Sequence, residues 1–388
     1  MITLLSSLLI SDKDNTVSPR VRKAYGVLCG SVGIFLNLCL FVGKFFAGFI
    51  SNSIAITADA MNNLSDAGSS FITLIGFHMA GQKPDIHHPF GHGRIEYISG
   101  FLVSIAIIVM GFELVKSSVI KIVHPETINS DPLVIGILIA SICVKLYMAF
   151  YNTAVSRKIE SAAMKATATD SLSDSLSTFV VLLSTLVCKY TSLNIDGYCG
   201  IAVGLFILYA GYGAAKDTIS PLLGQPPKKE FIEQIESLVT SHEGVLGIHD
   251  LIVHDYGPGR VMVSLHAEVD STGSIMEIHD MIDNIEKELA KECHCEAVIH
   301  MDPILVNDPL TDSLHSQIEA MLKSLDVSVK LHDFRVVTGP THTNIIFDVL
   351  LPFEFKMSDE EVVAYLEKSI HDIDSSYCAV IQVDKAYY

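Results

Sequence analysis

Carboxylates placed inside long apolar runs limit what this chain can fold into more than any other feature. Six segments, at approximately 24–50, 54–80, 95–121, 131–155, 161–188 and 195–218, are mostly apolar, and a membrane helix needs roughly 20 such residues. The second and fifth carry Asp, Asn, Ser and Thr where lipid rejects them, so they are expected in the interior of a bundle. The second holds Asn62 and Asp66, and the fifth holds Asp170 and Asp174. Residues four apart share one helix face, about 6 Å along the axis. If the two helices face each other, four side-chain oxygens converge. Three buried carboxylates are very costly without a cation or protons to offset them. The plainer alternative, a polar helix contact joined by Ser and Asn, accounts for the serines but leaves the carboxylates unexplained.

Charge divides the chain in two. Residues 1–225 carry 15 Lys+Arg against 14 Asp+Glu, whereas residues 226–388 carry 11 against 30. A membrane part followed by an acidic soluble part fits this split, and so acidic a tail argues against nucleic-acid binding. Basic residues lie at Arg20, Arg22, Lys23, Lys83, Arg94, Arg157, Lys158, Lys165 and Lys216. The opposite loops, Ser51-Asn52-Ser53 and Thr191-Ser192, are nearly free of base, with Lys121 and Lys189 flanking that side. The positive-inside rule puts both termini in the cytoplasm. The start, MITLLSSLLI, is too short to span and lacks a cleavage signal; an interfacial helix and a frayed end both fit it.

After Pro221–Pro227 the pattern changes to a helix, two strands joined by Gly257-Pro258-Gly259, a helix over 275–291 and a strand over 296–301. This αββαβ order predicts a small α+β, ferredoxin-like unit. It recurs about 82 residues later: His249-Asp250 resembles His332-Asp333, and Ala297-Val298-Ile299 resembles Ala379-Val380-Ile381. The expected fold is thus an all-α six-helix transmembrane bundle followed by a duplicated cytoplasmic α+β domain. Its boundaries are an N-terminal cytoplasmic arm at 1–23, the bundle at 24–220, and soluble units at 226–305 and 306–388.

Two further clusters have metal-ligating chemistry. Asp85, His88 and His92 lie on a Gly/Pro loop after the second segment. The first soluble unit holds His249, His266, His279, His300 and Asp302, with His300 and Asp302 on one strand face. Imidazoles with a carboxylate chelate transition metals. Cys293-His294-Cys295 reads as buried structure, and the remaining cysteines form no spaced framework. No His-Glu-x-x-His motif is present, so a membrane metalloprotease is not expected. A metal sensor or a channel is the rival reading from a different class.

The paired polar residues of the second and fifth segments, His88-Pro-Phe-Gly-His92-Gly-Arg94-Ile-Glu96-Tyr97 and His300-Met-Asp302-Pro303 together resemble the cation diffusion facilitator family over roughly residues 20–305. The resemblance implies a homodimer in the bilayer that exchanges a divalent metal for protons, with no enzymatic activity. It implies a transport site at Asn62, Asp66, Asp170 and Asp174 and a loop site at Asp85, His88 and His92. It implies a regulatory metal at His249, His266, His279, His300 and Asp302. Zinc-transporting members carry Asp or His where this chain has Asn62, and His where it has Asp170. The present set looks like that of the manganese members, and an all-oxygen site suits Mn²⁺. The expected function is therefore Mn²⁺/H⁺ antiport out of the cytoplasm by a multi-pass protein of a bacterial cell membrane; Zn²⁺ and Fe²⁺ export are the alternatives. Gly224 stands where many members have an acid that pairs with the base at Arg94. In the last unit the matching positions read His332, Asp348, Gln382 and Asp384, so its metal site is expected to be degraded.

Overall fold

The computed structural model describes residues 2–10, 12, 14–16, 18–50, 54–124, 132–191, 195–306, 308–352 and 354–386. Ser51-Asn52-Ser53 and Ser192, on which the orientation argument draws, lie outside the described residues. The chain divides into two compact units, residues 1–225 with 255–260 and residues 226–254 with 261–388.

The first unit is helical. After α1 (Ile2–Leu9) come α2 (Pro19–Ile50), α3 (Ile54–Ala80), α4 (Ile95–Val123), α5 (Pro132–Ile159), α6 (Ala162–Thr191) and α7 (Asp196–Leu223). Among the described residues, α2, α4, α5, α6 and α7 contain five stretches long and apolar enough to cross a membrane. The second segment does form a 27-residue helix, α3, but is not one of the five. Asn62, Asn63, Ser65 and Asp66 lower its hydropathy. α2 begins at Pro19, before the expected boundary at residue 24. Proline is favoured in the first helical turn, where its missing N–H is no loss, and Arg22 extends the helix outside the apolar run.

Large apolar side chains point outward, among them Phe35, Phe46, Phe49, Phe112, Phe150 and Tyr209, as in a bundle whose solvent is lipid rather than water. Between helices, small and polar contacts stand beside apolar clusters such as Phe77, Met148 and Met164. A Cβ on Gly26 would strike the Phe77 ring, and one on Gly100 would meet the backbone of Ala163. These contacts bring α2 onto α3 and α4 onto α6, the close approach that small residues permit where no hydrophobic effect drives association. Thr73 and Thr167 hydroxyls join α3 to α6 at 3.0 Å. Near one end, Arg22 donates to Glu96 at 3.0 Å and to the Ile159 carbonyl, tying α2, α4 and α5. Lys165 pairs with Asp217 at 2.5 Å. Arg94, for which position 224 offers only glycine, donates to the Asp255 carbonyl at 2.7 Å; the turn Asp255–Arg260 groups with this unit.

The second unit contains α8 (Lys229–Thr240), β1 (Val245–Asp255), β2 (Val261–Asp270), α9 (Ile275–Glu292) and β3 (Cys295–Ile304). It continues with α10 (Pro309–Leu325), β4 (Lys330–Thr338), β5 (Thr343–Pro352), α11 (Asp359–His371) and β6 (Tyr377–Ala386). Two three-stranded sheets result, in the orders β1-β2-β3 and β4-β5-β6. β2 pairs parallel with β3, and β5 parallel with β6, each pair connected by a helix, as a parallel crossover demands. Both sheets bury alternate residues: Val263, Leu265, Ala267 and Val269 on β2, and Ile345, Phe347, Val349 and Leu351 on β5. Ile235, Ile285 and Leu289 close the first core, and Ile318, Leu366 and Ile370 the second. Cys293 and Cys295 are buried free thiols in the first core, as expected. Asp250 and Asp333 both adopt left-handed backbone, φ 51° and 48°, at matching points of β1 and β4. Asp is among the few non-glycine residues that visit this region readily.

Candidate metal sites

In the membrane unit, Asn62, Asp66, Asp170 and Asp174 all line one cavity of about 500 Å³. α3 supplies the first pair and α6 the second, each pair one helical turn apart. Lys44, Ser65, Ser69, Ser141, Lys145, Ser177 and Thr178 add polar atoms to the wall. Asp66 and Asp170 are buried. Lys145 of α5, buried to 3% exposure, lies with Nζ 2.6 Å from Asp66 Oδ2 and 2.6 Å from Asp174 Oδ2. It thus bridges the two helices that hold the carboxylates, and buried charges need such partners. Sequence reasoning missed Lys145. A single lysine in an apolar run was the available signal, since an ionisable residue there must face a partner. Part of the offset that three buried carboxylates require is thus supplied by an ammonium of the chain itself.

On the loop after α3, Asp85, His88 and His92 each offer a ligand atom within 4.8 Å of the others. Asp85 Oδ1 lies 3.5 Å from His88 Nδ1, and Oδ2 lies 3.5 Å from His92 Nε2. Asp85 also accepts from the His88 and His87 backbone N–H groups. These bonds hold its carboxyl below the usual range, the one from His88 most of all.

In the second unit, His249, His266 and Asp302 converge within 4.8 Å. His266 Nδ1 is 2.8 Å from Asp302 Oδ2, and His249 Nε2 is 3.1 Å from the same oxygen. His300 stands opposite His266 in the β2–β3 register and reaches Asp302 Oδ1 at 3.4 Å. His279 does not join them among these contacts; on α9 it is exposed and lies 3.8 Å from Asp283. Its place one turn before Asp283 on the helix accounts for that pairing. A third convergent group, His249, Asp250 and Asp348, was not foreseen. Burial draws His249 toward neutrality, but Asp250, Asp302 and Glu268 outweigh it and raise the imidazole. Burial, with Asp384, Asp333 and Asp250 nearby, pushes the Asp348 carboxyl up to about 6. His332 is lowered to about 4, by burial first and then by His249.

Residues 31–223 match the cation efflux transmembrane domain, and residues 227–304 match the cytoplasmic domain of cation efflux proteins. A transporter of Methanocaldococcus jannaschii is 34% identical over 267 residues, 69% of this chain and 94% of the relative. The chain belongs to the cation efflux family. This efflux transporter is also similar to the cation-efflux pump FieF of Escherichia fergusonii, 26% identical over 74% of the chain and 96% of that protein. Protein p34 of Rickettsia prowazekii is 29% identical over 70% of the chain and 90% of its own length. The transporter's last αββαβ unit lies beyond both matched domains.

Proposed function

We propose that the chain exports Mn²⁺ in exchange for protons, working as a homodimer whose membrane bundle has six spans and whose termini are cytoplasmic. The observation that carries this reading is the single cavity lined by Asn62, Asp66, Asp170 and Asp174 and bridged by Lys145. Its donors are oxygens, which Mn²⁺ accepts readily, whereas imidazole at position 170 would favour Zn²⁺. α3 counts as the sixth span because its polar residues face the cavity and not lipid. Mn²⁺ entering from the cytoplasm displaces the Lys145 ammonium from Asp66 and Asp174. On the far side, protons and the returning ammonium replace the metal. Both states keep the carboxylates compensated, as a low-dielectric site requires.

The soluble unit contributes dimer contact and a regulatory metal at His249, His266, His300 and Asp302, with His279 available from α9; the loop group Asp85, His88 and His92 is a further binding point. The last αββαβ unit is a duplicate of the first. Proteoliposomes with Mn²⁺ and Zn²⁺ at matched free concentrations test the reading. Faster Mn²⁺ uptake is expected, and a preference for Zn²⁺ would overturn the selectivity argument.

A further inference from the structure

We propose that His249, Asp250 and Asp348 form a divalent transition-metal site built between the two αββαβ units of one chain. Two ligands come from β1 of the first unit and the third from β5 of the second, and one atom of each lies within 4.8 Å of the others. His249 makes the cluster more than a group of acids. It is 5% exposed, and neither ring nitrogen completes a hydrogen bond. Nδ1 lies 3.4 Å from Asp250 Oδ2, on the side of this group, while Nε2 faces Asp302. A buried imidazole in that position calls for a ligand.

How the second unit comes to supply Asp348 follows from the two sheets. The His249 ring stacks on that of His332 at 5.6 Å and 17°. Each precedes the left-handed aspartate of its own first strand, Asp250 or Asp333. Contact between matching positions is what a two-fold, self-complementary interface produces. The second unit thus meets the first as another copy of it would. Asp348 lies opposite His332 in the β4–β5 register and opposite Gln382 on β6. Where β2 carries His266 and β3 carries His300, β5 and β6 carry Asp348 and Gln382. The second unit has not simply lost a metal site; Asp348 completes one on its neighbour. Asp333, whose Oδ1 is buried without a hydrogen bond, contributes further negative charge beside His249.

One nitrogen and two carboxylate oxygens suit a divalent first-row cation. A neutral imidazole has one lone pair. With metal on Nδ1, the Nε2–H donates to Asp302, the carboxylate–histidine arrangement that orients a metal-bound ring. With metal on Nε2, beside His266, this site loses its nitrogen. The two groups therefore compete for His249.

The test uses the full-length chain in detergent, carrying Asp174→Ala and His266→Ala to disable the membrane cavity and the His266 group. Co²⁺ alone is titrated and its ligand-field absorption followed. Adding Asp348→Asn should weaken binding at one site per chain at least tenfold, and Asp250→Asn should do the same. Asn accepts the left-handed backbone at position 250, and the two variants lie in different units, so a common folding defect is not the explanation of a common loss. The loop group is intact throughout and cancels. Equal Co²⁺ binding in all three chains, or a loss confined to one variant, would overturn the site. Mn²⁺ flux is a separate measurement, so this site and the transport reading can fail independently.

Discussion

Lys145 is the residue on which the proposed membrane chemistry turns, because it lies 2.6 Å from carboxylates of two helices. Removing one partner of a buried ion pair typically costs 3–5 kcal/mol, since the remaining charge is uncompensated. A metal ion can supply that compensation. Lys145→Met is therefore expected to bind Mn²⁺ at least about tenfold more tightly, and Mn²⁺ should raise its melting temperature more than that of the unmodified chain. Calorimetry and thermal unfolding in detergent check this; equal or weaker binding contradicts a competing ammonium. Asp170→His is the companion variant. It replaces a hard oxygen by an imidazole and removes one negative charge, so Zn²⁺ transport should rise relative to Mn²⁺. An unchanged metal preference would show that position 170 does not select the ion. Asn62, Asp66, Asp170 and Asp174 were legible because the helical repeat pairs them within each segment. Lys145 was harder to place, since its partners are 79 and 29 residues away. Asp348 was hidden for another reason: sequence matching shows what a residue replaces, but not that it reaches across to Asp250.

Among the elements, α3 shows best how function bends the rules of folding. The same polar residues that line the cavity keep it from qualifying as an apolar span. Its length and position were legible, and the proposal that it is a sixth span rests on its polar residues lining the cavity. The elements of the second unit follow their sequence signals closely, with α9 ending at Glu292 where 291 was expected and β3 running Cys295–Ile304 where 296–301 was expected. α10 carries a local test. Asp308 caps it by accepting from the Thr311 N–H at 2.9 Å and from its hydroxyl at 2.6 Å. The hydroxyl bond and then the backbone bond hold the carboxyl below its usual value. A depressed carboxylate contributes stability above its unfolded pKa and loses it as pH falls through the folded one. Asp308→Ala should thus speed amide hydrogen exchange in the first turn of α10 near pH 7. The difference from the unmodified chain should shrink as pH drops below about 4. A difference that persists unchanged in acid contradicts the cap.

For the whole molecule, charge and hydropathy separated a membrane part from an acidic part, and the structure divides near the same place, at residues 225 and 226. The last unit, outside the matched family domains, is expected to be an addition and not part of the pump. A chain ending at residue 305 should keep measurable Mn²⁺ flux while losing the metal site that needs Asp348. Abolished flux in an inserted, dimeric truncation would make residues 306–388 part of the transport machinery. The central claim is that metal crosses the bilayer through the carboxylate cavity in exchange for protons. Its most direct test is Mn²⁺ uptake into proteoliposomes with and without an imposed pH gradient, comparing the unmodified chain with Asp174→Ala. The account predicts gradient-driven uptake by the unmodified chain and none above background by the inserted variant. Full-rate uptake by Asp174→Ala, or uptake by the unmodified chain that ignores the gradient, would contradict it.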